Sequence, residues 1–181
     1  GRRIVWLDHQ AVFRPVQKRW PVRIARGALG DGLPYRDLIV SPQHAMLLRD
    51  PQLELYFDTS EAFVRAGHLV GLPGIDREER HIVEYFHIML DGHDIIFAEG
   101  AETETFCPGP ASRKWLTERG RARLAALYPT LADDNAPSPF ATARQVLKAY
   151  EAQLARHILE NGSARDTGIA DLAAQAARTA A

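Results

Sequence analysis

The sequence predicts a mainly β fold of short strands over residues 1–110, followed by C-terminal helices. Three observations carry this. Short β-branched and aromatic runs recur at close spacing up to Phe106, and turn-forming Gly, Pro and Asp stand between them. From about Ser112 the apolar residues take a helical period instead. Strands that follow one another without helical stretches between them argue against alternating βα units.

The runs, in order, are Ile4-Val5-Trp6, Val22-Arg23-Ile24, Leu38-Ile39-Val40, Met46-Leu47-Leu48, Ala62-Phe63-Val64, Val83-Glu84-Tyr85-Phe86 and Ile95-Ile96-Phe97. Side chains of these types suit a pleated, half-buried surface. Turns are expected at Gly27 to Pro34, at Arg49-Asp50-Pro51 and at Gly71-Leu72-Pro73-Gly74, because Gly admits positive φ and Pro presets φ while lacking a donor. Ser112 is the expected N-cap of a helix that carries Trp115, Leu116, Leu124 and Leu127 and breaks at Gly120. After the polar stretch Asp133 to Pro139, a second helix is expected from Ser138-Pro139 to about Glu160. Phe140, Ala143, Leu147, Tyr150, Leu154 and Ile158 would form its buried stripe, packed on the β-domain rather than kept for a partner. Residues 161–181 form an Ala-rich, weakly patterned tail, open to disorder.

Composition narrows the function classes. The 181 residues are 46% hydrophobic with a formal net charge of -1, which suits one globular domain with a sizeable core and an appendage. Arginines are scattered among acids, so no basic stripe marks a nucleic-acid partner. Every apolar run is far shorter than the roughly 20 residues of a membrane-spanning helix. No charged-then-apolar leader opens the chain, which begins at Gly1. Cys107 is the single cysteine, excluding an internal disulfide framework and a cysteine-based zinc site.

Two histidines stand where strand-like runs are interrupted. Ser41-Pro42-Gln43-His44 sets a hydroxyl and an imidazole three residues apart between Leu38-Ile39-Val40 and Met46-Leu47-Leu48. His93 follows Asp91-Gly92, which reads as a tight turn joining a strand ending near Leu90 to another at Ile95. A β-fold can bring two such histidines together, although a histidine at a strand end is commonly structural.

Together these segments resemble the Hint (hedgehog/intein-type) autoprocessing domains, in particular the bacterial hedgehog/intein-like group. The likeness runs in order through Trp20 to Gly30, Arg36 to His44, Arg65-Ala66-Gly67-His68-Leu69-Val70, and Val83 to Gly109. Ser41 and His44 look like the family's Ser/Thr-x-x-His pair, whose histidine meets the scissile amide. Tyr85, His93 and Gly100 resemble the tyrosine, the histidine and the turn glycine of the family's later motif.

The resemblance implies a Hint-type compact β-fold, a horseshoe of short strands, and an N-to-S or N-to-O acyl shift. A side chain at the domain's first position attacks the preceding carbonyl, and the peptide bond becomes a thioester or ester. His44 would protonate the departing nitrogen, a general acid role worth on the order of a hundred- to ten-thousand-fold. Ser41 would orient the imidazole or bond the same amide, and His93 would polarise the carbonyl or relay a proton. No cofactor or metal is implied. The partners implied are the upstream polypeptide of the same precursor, a missing N-terminal Hint fragment, and water or a small nucleophile, with no nucleic acid and no membrane span. By resemblance such modules sit at the C-terminal side of larger secreted or surface proteins of bacteria.

The chain departs from the family in three places. The Cys or Ser nucleophile is missing and Gly1 cannot replace it, so the chain alone is expected to be inactive. Phe86 stands where inteins carry an aspartate beside the tyrosine, leaving Asp91 or Asp94 as substitutes. Glu104-Thr105 falls near the place of the terminal His-Asn, so cleavage on that side, and hence full splicing, has no chemical route.

Other readings stay open. An inactive Hint-fold binding or structural module is one. A metal site of His44, His87 and His93 with Asp91 or Asp94 is another, since alternation puts His87, Met89 and Asp91 on one face. A serine hydrolase at Ser41 lacks the Gly-x-Ser-x-Gly elbow. Cys107 is expected to be a bystander thiol, His68 a core residue on an apolar strand, and His9, His81, His87 and His157 surface or structural residues.

Overall fold

The computed structural model describes residues 4–8, 12–13 and 16–160; His9 and the tail 161–181 lie outside the described residues. The mainly β architecture is present. The strands are β1 Val5–Asp8, β2 Val12–Phe13, β3 Val22–Ile24, β4 Leu38–Val40, β5 Ala45–Arg49, β6 Glu61–Arg65, β7 Ile75–Arg77, β8 Ile82–Val83, β9 Phe86–Met89, β10 Ile95–Ala98 and β11 Ala101–Glu104. Every one of these strands pairs antiparallel, in two ribbons, β1-β9 and β2-β8, a three-stranded sheet β4-β3-β7 and a four-stranded sheet β10-β11-β5-β6. Short helices α1 Glu54–Phe57, α2 Ala66–Leu69 and α3 Pro110–Arg113 and the longer α4 Glu118–Leu127 connect or follow them. Helix α5 covers 149–160. No helix among the described residues is long and apolar enough to cross a membrane.

The four-stranded sheet positions the site. Side chains alternate across it, so Met46, Leu48, Ala62, Val64 and Ala101 enter one buried cluster with Val22, Ile24 and Ile75. Ala45, Leu47 and Phe63 form a smaller cluster on the opposite face. β10 and β11 are joined by a two-residue hairpin in which Glu99 (φ 50°) and Gly100 (φ 82°) are both left-handed, the combination that matches strand twist in a tight turn. A Cβ at Gly100 would run into the Tyr35 ring.

Four expectations are corrected. Asp91-Gly92 does not close a hairpin: β9 pairs with β1 and β10 with β11, so the chain changes sheets there. Ser112 is not an N-cap, because its hydroxyl lies 2.7 and 2.9 Å from the carbonyl oxygens of Cys107 and Gly109 and its one proton is spent on that pair. Thr117 caps α4 instead, accepting the Gly120 N–H at 2.9 Å, so Gly120 lies inside the helix rather than breaking it. His68 sits in the short helix α2, not on a strand.

The fourth correction is the largest. Residues 140–147 are not helical. They run beside β6, where Phe63 donates to Gln145 O at 2.8 Å and accepts the Leu147 N–H at 2.9 Å, with a parallel bridge between Phe63 and Val146. The open edge of β6 offers backbone groups that satisfy this segment more directly than a helix would. Helix α5 starts only at 149, where the Glu151 carboxylate accepts the Lys148 N–H at 2.7 Å, one half of a capping box. Its Ala152, Ala155 and Ile158 are buried in the main core, while Tyr150 stays exposed.

Candidate functional site

The turn before β5 is held from three directions. Ser41 Oγ accepts the N–H groups of Gln43 and His44 at 3.3 and 3.2 Å, and Ser41 O also accepts the His44 N–H at 3.1 Å. The first N–H groups of α2 have no partner within their own helix. They bond the turn instead, Ala66 N–H to His44 O at 2.8 Å and Gly67 N–H to Pro42 O at 2.9 Å. The segment resembling Arg-x-Gly-His-Leu therefore braces the Ser-Pro-Gln-His turn.

His44 and Met46 project to one side of β5, and Thr103, opposite Met46 in β11, faces the same way. Thr103 Oγ1 lies 2.5 Å from His44 Nε2 and donates its proton to Ala45 O at 2.7 Å. A hydroxyl has one proton to give, so Nε2–H must be the donor to Thr103. The ring is thereby held with its proton on Nε2 and its lone pair on Nδ1. Burial pushes the imidazole below its ordinary titration range, and the negative charge of Glu104 partly offsets this.

His93 lies on the other face. Its Nδ1 accepts the Ala143 N–H at 2.9 Å, which fixes the proton on Nε2, 3.2 Å from Glu104 Oε2. Its ring tilts against Phe63 with centroids 5.5 Å apart. The other oxygen of Glu104 accepts the Ala45 N–H at 2.9 Å. The backbone of Ala45 thus joins the two histidines: its carbonyl serves the Thr103–His44 pair and its N–H serves the Glu104–His93 pair.

The other sequence candidates are placed apart from this pair. Asp91 is exposed on the bend before His93. Asp94 is tied to Thr105, which donates its N–H to Asp94 O and accepts the Asp94 N–H on its hydroxyl, both at 2.9 Å. Burial raises the Tyr85 phenol to about 12. His87 stacks on Phe106 at 4.7 Å between centroids. Burial raises the Cys107 thiol, an effect the hydrogen bond with Ser138 opposes. Among the described residues no three His, Cys, Asp or Glu side chains stand close enough together to hold a metal ion.

Thr103 is the residue that sequence reasoning missed, and Glu104 was read there only as the replacement of a lost His-Asn. Their signal was faint but present: Ala101-Glu102-Thr103-Glu104 alternates small or hydroxylic with acidic residues, and in β11 the first set is buried. An inward threonine on a strand needs a polar partner.

A family model described as the Hint domain matches residues 1–110, which include every one of these groups except Ser138 and Ala143. The chain belongs to the Hint domain family. Neither a curated protein nor a solved structure matches it. The matched residues end where α3 begins, and α4, the segment along β6 and α5 lie beyond them.

Proposed function

We propose that this Hint module promotes an acyl shift at the junction with an upstream polypeptide, and then releases that polypeptide without splicing. The observation that supports it most is the Thr103–His44 bond, which commits Nε2 and leaves Nδ1 as the position of His44 that exchanges protons. In the first step Nδ1 takes the proton of a Cys thiol or Ser hydroxyl at the junction as the sulfur or oxygen attacks the preceding carbonyl carbon. The tetrahedral intermediate then expels the amide nitrogen, which takes the proton back from Nδ1–H, leaving a thioester or ester and a free amine. Water or another nucleophile attacks that ester and frees the upstream chain. Glu104 favours the transient imidazolium through its charge.

Ser41 acts through the backbone of the turn, and His93 acts through Glu104. Asp91 enters no step. At Glu104-Thr105 the chain lacks an asparagine that could cyclise, and continues into α3.

The test is the intact mass of a precursor carrying the natural upstream sequence, with and without added thiol, beside its His44→Ala variant. Cleavage before a Cys or Ser, accelerated by thiol and lost in His44→Ala, is the expected result. A precursor that stays whole under every nucleophile makes this a Hint-fold binding or structural module instead.

A further inference from the structure

The segment 143–147 lies beyond the matched Hint region yet touches its buried His93. It forms a parallel edge on β6 through Phe63, and Arg144 adds an ion pair to Glu61. Its Leu147 is 1% exposed, in the same core cluster as Ala152 and Ala155 of α5. The His93 side chain is 0% exposed, so no water replaces the Ala143 N–H at Nδ1.

An imidazole buried this way has two neutral forms, and the group facing Nδ1 selects between them. With a donor there, Nε2 carries the proton and faces Glu104 as a donor. With that donor gone, the buried Nδ1 lone pair is left without a partner and only Glu104 favours the Nε2 proton, so the preference for that tautomer weakens.

We infer that the strap 143–147 is a positioning element of the processing site, in which the Ala143 N–H, together with Glu104, sets the His93 tautomer and His93 in turn holds Glu104 against Ala45 and beside His44. This rests on the acyl-shift reading for its effect on rate, and on geometry alone for its effect on His93.

The test combines imidazole nitrogen NMR, which reads the tautomer of His93 in the full chain, with cleavage of the precursor. Wild type is expected to show His93 protonated at Nε2. Ala143→Pro, which removes the N–H donor, is expected to mix the tautomers and to slow cleavage roughly tenfold or more. Ala143→Gly keeps the donor and is expected to keep both properties. Since the fixed φ of proline can also dislodge the strap, Arg144→Gln provides a milder lever, loosening the strap with the donor in place, and is expected to shift both readouts less in the same direction. An Ala143→Pro protein whose His93 tautomer is unmoved, or whose tautomer moves while cleavage keeps its rate, overturns the inference. A wild-type precursor that never cleaves is a failure of the acyl-shift reading, and it shows before any variant is compared.

Discussion

Thr103 Oγ1 stands 2.5 Å from His44 Nε2 and spends its own proton on the carbonyl of Ala45, the residue that follows His44. The hydroxyl therefore fixes the ring and the backbone it grows from in one stroke. Removing it leaves a buried Nε2–H and a buried carbonyl each short of a partner, and an orphaned buried group costs about 1–3 kcal/mol.

Thr103→Val keeps the shape of the residue and deletes that hydroxyl. Cleavage of the precursor is expected to slow by roughly ten- to a hundredfold, as when a reacting group drifts out of line. Urea unfolding is expected to show a loss of at least about 2 kcal/mol, one such cost for each of the two groups. A variant that cleaves at the wild-type rate would mean that Thr103 does not hold His44 in its working orientation.

The acid side of the pH dependence follows from the depressed titration of His44, caused by burial and partly offset by Glu104. An unfolded histidine takes up a proton as pH falls through about 6.5, while folded His44 does so only at lower pH. The unfolded state thus binds more protons in that window, and stability rises with pH across it. The contribution is whole above about 6.5 and lost as pH falls toward the folded value. His68 acts in the same direction through burial and the nearby charge of Arg65. Urea midpoints are expected to be lower at pH 5 than at pH 7.5, with a shallower dependence in His44→Gln. The acidic limb of the cleavage profile is expected below pH 6.5, and Glu104→Gln, which removes the offsetting charge, is expected to move it lower still.

β4, β6 and β10 were legible from their β-branched or aromatic runs and β5 from Met46-Leu47-Leu48, whereas β11, Ala-Glu-Thr-Glu, has no such run; the Ser-Pro-Gln-His turn stood out because it interrupts two of the legible strands. What the sequence hid was set by partners far along the chain. Residues 140–147 have helical spacing, yet the unpaired edge of β6 claims their backbone, a tertiary preference that overrides local propensity. Asp91-Gly92 has the wording of a hairpin turn, but β1 and β11 take the strands on either side of it. Thr103 has no motif of its own, since its role exists only because β11 lies beside β5.

Gly67 owes its identity to space rather than to backbone freedom. A Cβ there would stand 2.8 Å from Pro42 O and 3.1 Å from Pro42 Cβ, pushing the turn away from α2 and taking His44 with it. Gly67→Ala is expected to cost about 1–3 kcal/mol, the usual range for overpacking, and to slow cleavage by at least tenfold. Gly92→Ala serves as the comparison, because nothing lies within 4 Å of a Cβ at that position. Its stability is expected to stay within about 0.5 kcal/mol of wild type. Equal behaviour of the two variants would show that the contact between α2 and the turn is not tight.

Arg113 is 2% exposed and spends its guanidinium on carbonyls: Pro108 at 2.7 Å, Asp133 at 3.0 Å, and Asp134 and Ala136 at 2.8 Å each. It ties α3 to the turn at 133–136, and so closes the cluster in which Leu116, Leu124 and Leu131 pack beneath Val5 and Met89 of the β1-β9 ribbon. Arg113→Met fills similar volume but leaves four carbonyls without that donor. A buried charge costs desolvation to place, so the net loss on removing it is smaller than the sum of its bonds. About 2–4 kcal/mol is expected in urea unfolding. Because His44, Thr103 and Glu104 bond none of these groups, cleavage well below the transition is expected to keep its rate. A variant as stable as wild type would mean that desolvating the guanidinium cancels the bonds it makes. A variant that also lost activity would mean that the ribbon and its helices help to shape the processing site.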